Sequence, residues 1–340
     1  MSGTREPADA AAPIAVLGAG SWGTALAIQF ARAGHPTLLW GRDPAQLALL
    51  ARDRANARYL PGAAFPPALE VEDDLGRALA RAPDVLLAVP SAGFRSTLET
   101  LKPRLGPGQR VAWATKGFEL ETGLLPHQVA HAVLGPEVPL AVLSGPTFAA
   151  EVGRGLPTAM TVASPDADFA ELLARTLSGA NFRAYTSPDI VGVEVGGAVK
   201  NVLAIGTGIA DGMGYGANTR IALITRGLAE MTRLGLALGA RRETFMGLAA
   251  LGDLVLSCTD DQSRNRRFGL AIAAGKGAAE AQRAIGQVVE GVNAARAVRT
   301  VAARHGVEMP IAEQVYAVLY EGRAVGEAVR ALMQRELRQE

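Results

Sequence analysis

Ile14-Ala15-Val16-Leu17-Gly18-Ala19-Gly20-Ser21-Trp22-Gly23 is the stretch that decides the fold. Four apolar residues run into glycines spaced G-x-G-x-x-G, and Gly23 to Ala33 then has helical composition until Gly34. The spacing alone says little in a chain with 39 glycines. Its setting, a strand ending at Leu17 and a helix opening at Gly23, makes it a candidate dinucleotide cradle. Gly18 permits the tight turn, Gly20 lets backbone approach a pyrophosphate, and Gly23 lets the helix pack closely on the strand. The helix N-terminus then offers unpaired N–H groups to an anion. The bland alternative is a plain turn into a helix.

Working outward, Thr37 to Trp40, Asp84 to Val89, Arg110 to Ala114 and Leu140 to Leu143 are further short apolar runs. They lack alternation, as expected of parallel strands covered on both faces. Strands separated by helix-like segments predict an α/β, Rossmann-like doubly wound sheet. Beyond about residue 190 the texture changes. Val195 to Ala210, Ile221 to Leu238, Arg264 to Ala274, Gly291 to Ala303 and Ile311 to Tyr320 all read as helices. The expected organisation is a disordered tail over 1–13, a dinucleotide-binding domain over 14–189 and a mainly α-helical substrate domain over 190–340. Thr186-Ser187-Pro188 supplies the turn signal at the boundary.

Bulk properties narrow the class. The 340 residues fit two domains. The 34 basic and 33 acidic side chains leave a net charge of +1, so nothing points to nucleic acid or an anionic membrane. The single cysteine, Cys258, cannot form an intrachain disulfide and reads as packing. No signal peptide and no long apolar span are recognised, and the expected location is the cytoplasm. His127 and His131 have an i, i+4 spacing that can carry zinc, but no third ligand is evident. They read as an exposed helix face, and no metal is expected.

Cofactor choice rests on the end of the second strand, Trp40-Gly41-Arg42-Asp43. Arg42 suits a 2′-phosphate and NADP. Asp43 could face a ribose, favouring NAD, or cap a helix before Pro44. The reading leans to NADPH/NADP with NAD retained. Five segments carry the reacting end. Ala114-Thr115-Lys116-Gly117 and Ser144-Gly145-Pro146-Thr147 follow strands, where open α/β sheets bind ligands. Lys200 is the only charged residue between Val195 and Ala210. An ammonium in so apolar a helix is poorly solvated, which lowers its pKa toward that of a neutral-range acid or base, unless it snorkels to solvent. Asp253, in Gly252-Asp253-Leu254, could hold that lysine or cap a helix. Gln262-Ser263-Arg264-Asn265-Arg266-Arg267 combines guanidinium forks, a hydroxyl and an amide at a helix start, which suits a phosphate. A solvated basic patch is its alternative.

From Ile14 to about Leu332 the chain resembles the bacterial NAD(P)-dependent glycerol-3-phosphate dehydrogenase family. The resemblance is carried by Gly18 to Ala25, Trp113 to Gly117, Ser144 to Ala149, Gly196 to Val202 and Gln262 to Gly269. It implies reduction of dihydroxyacetone phosphate to sn-glycerol 3-phosphate for phospholipid synthesis. It also implies that Lys200 is the proton acceptor for the alcohol, with Lys116 and Asp253 beside it. Lys116, Gly145, Thr147, Lys200, Asp253, Ser263, Arg264 and Asn265 match substrate positions. Ser21, Trp22, Arg42, Lys116, Ala149, Arg264, Val288 and Glu290 match cofactor positions, beside the Gly18, Gly20 and Gly23 cradle. Asn201 and Asp253 would orient the lysine and the substrate hydroxyls. The partners expected are small molecules, and the oligomeric state is left open, a homodimer included. The competing reading is another two-domain, lysine-based hydroxyacid or ketoacid reductase.

Overall fold

A computed structural model of the chain describes residues 12–334. Most of the tail expected over 1–13 therefore lies outside the described residues. The strands are β1 (Ile14–Leu17), β2 (Thr37–Trp40), β3 (Leu69–Val71), β4 (Asp84–Leu87), β5 (Arg110–Trp113), β6 (Leu140–Ser144), β7 (Thr158–Ala163) and β8 (Phe182–Ser187). Interleaved with them are α1 (Ser21–Arg32), α2 (Pro44–Asp53), α3 (Leu75–Arg81), α4 (Phe94–Leu101), α5 (Pro126–Leu134), α6 (Ala149–Arg154) and α7 (Ala167–Leu177). The helical part follows as α8 (Ile190–Gly212), α9 (Ala217–Ala237), α10 (Asp253–Thr259), α11 (Arg264–Ala273), α12 (Ala278–Ile285), α13 (Glu290–Arg304), α14 (Pro310–Tyr320) and α15 (Val325–Met333).

One sheet runs in the order β3-β2-β1-β4-β5-β6-β7-β8. β1 lies between β2 and β4, so the chain crosses from one side of β1 to the other and opens a crevice at the strands' carboxyl ends. Every residue of β1, β4 and β6 is buried, which is why their sequences are apolar without alternation. Two buried clusters cover the two faces of the sheet. One is built on Leu26, Phe30, Leu39 and Leu86, the other on Leu17, Val85, Leu98 and Trp113.

The expectation of a parallel sheet holds through β6 and then fails. β7 pairs antiparallel with β6, and β8 runs parallel to β7. These two strands, and the three-residue β3, were not anticipated. β8 alternates buried and more exposed positions at the sheet edge, and neither it nor β7 shows the unbroken apolar run that marks a two-sided parallel strand.

α8 is the spine of the helical part, buried along nearly its whole length. It is long and apolar enough to cross a membrane, yet 83% of its most apolar window is buried inside this fold. α11 crosses it closely at two glycines. A Cβ on Gly208 would collide with the Arg266 carbonyl, and one on Gly269 with the Ile205 carbonyl. The backbones thus touch where any side chain would hold them apart, which fixes α11 against the helix that carries Lys200. Gly269→Ala is expected to destabilise the protein by roughly 1–3 kcal/mol through this overlap, read as a lower urea midpoint. An unchanged midpoint would show that the crossing has slack.

Candidate active site

Three elements meet at one carboxylate. Asp253 is 1% exposed. It opens α10 directly after a single π-turn at Leu248–Gly252. Gly196 on α8 makes room for that turn, since a Cβ there would lie 2.8 Å from the Ala249 carbonyl oxygen. Lys116 Nζ, on the loop after β5, donates to Asp253 Oδ2 at 2.6 Å. Lys200 Nζ, from the middle of α8, donates to Asp253 Oδ1 at 2.8 Å and to Ser257 Oγ at 2.8 Å. Thr115 Oγ1 donates to the Val89 carbonyl at 2.7 Å and steadies the loop beneath Lys116.

Burial, the proximity of Lys116 and the pull of Asp253 compete at Lys200. Desolvation is the largest influence and lowers its pKa. Asp253 raises it, Lys116 lowers it again, and the result is about 8. Burial alone would push the Asp253 carboxyl up, but the two ammonium groups hold it below its ordinary range. Lys200 does not snorkel to solvent; its side chain ends among buried partners. Nor is Asp253 a helix cap, because its oxygens face the lysines.

A cleft of about 1920 Å³ runs from the glycine-rich turn past this centre to the helical part. Of the residues singled out in the sequence, Gly18, Gly20, Ser21, Trp22, Arg42, Lys116, Thr147, Ala149, Lys200, Asp253, Ser263, Arg264, Asn265, Val288 and Glu290 line it. Gly23 and Gly145 lie behind the surface. A Cβ on Gly23 would strike the Gly18 carbonyl, so its part is packing. Gly145 lets β7 approach, with Met160 Cα 2.8 Å from where its Cβ would stand, and its carbonyl accepts from Lys116 at 3.4 Å and from Thr147 Oγ1 at 3.3 Å.

The residues at the turn fit a dinucleotide. Gly18 has φ +124°, and a Cβ on Gly20 would meet only open space facing the cleft. Gly20 caps α1 without a side chain, leaving its first N–H groups free for a phosphate. Trp22 Nε1 is a buried donor with no partner among the described residues. Asp43 caps α2, accepting from Ala45 N at 3.0 Å and Gln46 N at 3.3 Å, while Arg42 stays exposed in the cleft.

At the other end the basic cluster sorts itself. Arg266 turns inward, bonded to Asp211 at 2.8 Å and to Asp261. Arg264 and Arg267 face the cleft. Ser263 caps α11 by accepting from Arg266 N at 3.3 Å. Asn265 is held between α8 and α13, donating to Asn201 Oδ1 at 2.8 Å and accepting from Gly291 N at 2.9 Å. Asn201 therefore orients Asn265 and has no hydrogen bond to Lys200 among the described residues, which corrects the lysine-orienting part expected of it. Glu290 accepts from Ser91 Oγ at 3.0 Å across the cleft.

Two side-chain placements escaped the sequence. Ser257 completes the Lys200 site, and its i, i+4 spacing from Asp253 on one helix face was the available signal. His127 is not on an exposed face. Its ring bonds Glu194 at 2.5 Å, and Glu194 also accepts from Trp113 Nε1 at 3.0 Å. Glu194, alone in the apolar run Val191 to Val195, was the missed sign of a buried partner. His131 is exposed as expected, and burial pushes the Cys258 thiol up to about 12, as suits a packing residue.

A glycine cradle at a sheet crevice, opening onto a buried helix lysine and a loop lysine that share one carboxylate, defines a two-domain, nicotinamide-dinucleotide-dependent dehydrogenase. Family comparison refines that class. The family described as NAD-dependent glycerol-3-phosphate dehydrogenase N-terminus matches residues 13–170, and its C-terminus counterpart matches 189–330. The chain is 58% identical over 330 residues to a glycerol-3-phosphate dehydrogenase [NAD(P)+] of Edwardsiella ictaluri, covering 97% of this chain and 98% of that one. It is 58% identical over 328 residues to the same enzyme of Aeromonas salmonicida, covering 96% and 98%. A crystal structure of glycerol-3-phosphate dehydrogenase from Coxiella burnetii superposes with a TM-score of 0.92 at 46% identity, covering 96% of this chain and all of that one. The chain belongs to the NAD-dependent glycerol-3-phosphate dehydrogenase family.

The shared carboxylate makes a stability prediction. Asp253→Asn leaves two buried ammonium groups without an anion and is expected to destabilise by roughly 3–5 kcal/mol. Adding Lys116→Met to it removes one surplus cation and should recover part of the loss. Strictly additive losses in urea unfolding would refute the shared-anion account.

Proposed function

We propose that this chain interconverts dihydroxyacetone phosphate and sn-glycerol 3-phosphate with NAD(P), Lys200 giving the proton to the alkoxide in reduction and taking it back in oxidation. The observation that carries this is Lys200 itself. It is a buried amine with a pKa of about 8, held by Asp253 and Ser257 at the wall of the cleft. A proton carrier works best when its pKa lies near the working pH.

Bound NAD(P)H supplies the hydride for the C2 carbonyl carbon. Lys116 adds positive charge where the oxyanion develops, beside Asp253 and Lys200. Asp253 holds both lysines, while Ser257 occupies one Lys200 hydrogen and leaves another for the substrate oxygen. Arg264, Ser263 and Asn265 bind the phosphate, with Asn265 pre-set by its bonds to Asn201 and Gly291. Gly18, Gly20, Ser21, Trp22, Ala149, Val288 and Glu290 hold the dinucleotide. NADP(H) is the preferred form, because Arg42 is free in the cleft while Asp43 is engaged as a helix cap. No metal takes part. The dinucleotide unit is residues 14–189 and the substrate unit 190–340. The product feeds glycerophospholipid assembly in the cytoplasm.

Lys200→Ala protein that still binds NADPH is expected to lose roughly 10²–10⁴ in kcat; near wild-type turnover would refute the assignment. Reduction needs the ammonium, so its rate should fall as pH rises through about 8, and oxidation should rise over the same range. Lys116 lowers the Lys200 pKa, so Lys116→Met should move both limbs to higher pH. Following NADPH oxidation with dihydroxyacetone phosphate and with ketoacids separates this reading from a ketoacid reductase. Turnover of a ketoacid alone would favour the latter.

A further inference from the structure

Arg58 belongs to none of the motifs, yet the chain is built to present it at the dinucleotide cradle. Arg54 ends α2 in the left-handed conformation, φ 51°, and its guanidinium donates to the carbonyls of Leu69 at 2.6 Å and Pro66 at 2.7 Å. Asn56 is 1% exposed and donates to the Ala19 carbonyl at 3.0 Å and to Thr24 Oγ1 at 2.8 Å. Its own Oδ1 accepts from Tyr59 N at 3.2 Å, and Ser21 Oγ donates to the Tyr59 carbonyl. The segment carrying Arg58 is therefore pinned to both ends of the Ala19–Ser21 turn.

The segment that carries Arg42 packs against the same turn. Gly18 N donates to the Trp40 carbonyl at 2.8 Å, and a Cβ on Gly41 would stand 3.0 Å from Ala19 Cβ. Both arginines line the cleft. Neighbouring charges are committed elsewhere. Asp43 caps α2, Asp53 pairs with Arg52, and Arg54 holds backbone carbonyls. Among the described residues neither Arg42 nor Arg58 has an ion-pair partner. The Arg58 guanidinium lies 4.9 Å from the centre of the Tyr59 ring, a stack that orders the fork without neutralising it.

We propose that Arg58 is a second arginine for the 2′-phosphate of the bound dinucleotide, working with Arg42 to select a 2′-phosphorylated adenosine over one with a free 2′-hydroxyl. This rests on the NADP(H) preference proposed above and assigns it a further residue. A phosphate dianion has oxygens enough for two forks, each making charge-assisted bonds. A ribose hydroxyl offers no charge to either, so Arg58 should count for one cofactor only.

Calorimetric titration of 2′,5′-ADP and 5′-AMP into wild-type, Arg42→Ala and Arg58→Ala protein tests this. Wild-type protein should bind 2′,5′-ADP the more tightly. Arg58→Ala should weaken 2′,5′-ADP roughly tenfold or more while changing 5′-AMP by about twofold at most. Arg58→Lys, which keeps the charge but not the fork, should fall between. If wild-type protein binds the two nucleotides alike, the NADP(H) preference fails and this inference with it. If wild-type protein discriminates and Arg42→Ala abolishes that, while Arg58→Ala leaves both affinities alone or weakens them equally, only the role of Arg58 is overturned.

Discussion

Everything at the reacting end depends on two cations sharing one buried anion. Desolvating an ion costs several kcal/mol even after relaxation, and a lysine, aspartate, lysine group includes three. Asp253 compensates both ammonium groups at 2.6 and 2.8 Å, but one positive charge remains over. That surplus favours any anion or developing negative charge beside the two lysines. The fixed dipoles and charges need no reorganisation at that moment, which makes such electrostatic stabilisation effective. Lys200 sits near 8 chiefly because burial disfavours its charge and Lys116 adds to that, while Asp253, shared between the two lysines, only partly offsets them.

Holding that group requires three backbones to come closer than ordinary side chains allow. Gly196 and Gly197 on α8 clear space for the π-turn before Asp253 and for the Lys116 side chain. Gly208 and Gly269 draw α11 in, and Gly291, whose Cβ would stand 2.6 Å from the Asn201 carbonyl oxygen and whose N–H donates to Asn265, draws in α13. The Asn201–Asn265–Gly291 chain then links the Lys200 helix to the basic end of the cleft. Glycines far apart in sequence therefore serve one purpose, bringing chemistry from a sheet loop and two helices to a single point.

Legibility followed from the kind of signal each feature leaves. β1, β2, β4, β5 and β6 could be read because both faces are buried, which imposes unbroken apolar runs. β7 and β8 could not, because the reversal at β7 and the half-exposed edge at β8 leave mixed patterns. Lys200 could be read because a lone charge in an apolar helix is conspicuous. Lys116 could be read from its place after a strand, while Asp253 and the basic cluster each had a local alternative; Val288 and Glu290 were singled out by the family resemblance alone. Composition alone could not show that Asn201 braces Asn265 or that His127 meets Glu194, since each pair joins residues more than sixty positions apart.

The basic cluster shows why residue type is not enough. Arg264, Arg266 and Arg267 are chemically alike and nearly adjacent, yet only Arg266 turns from the cleft. Asp211, at the end of α8, and Asp261 supply its anions from two sides, while Arg220 also engages Asp211. Arg266 is neutralised by those ion pairs, whereas neither Arg264 nor Arg267 makes one among the described residues, although Glu290 lies close enough to act on Arg264. Three arginines within four positions thus divide between holding α11 in place and lining the cleft. The carboxylates that make the division lie outside the cluster, where the spacing of the motif carries no trace of them.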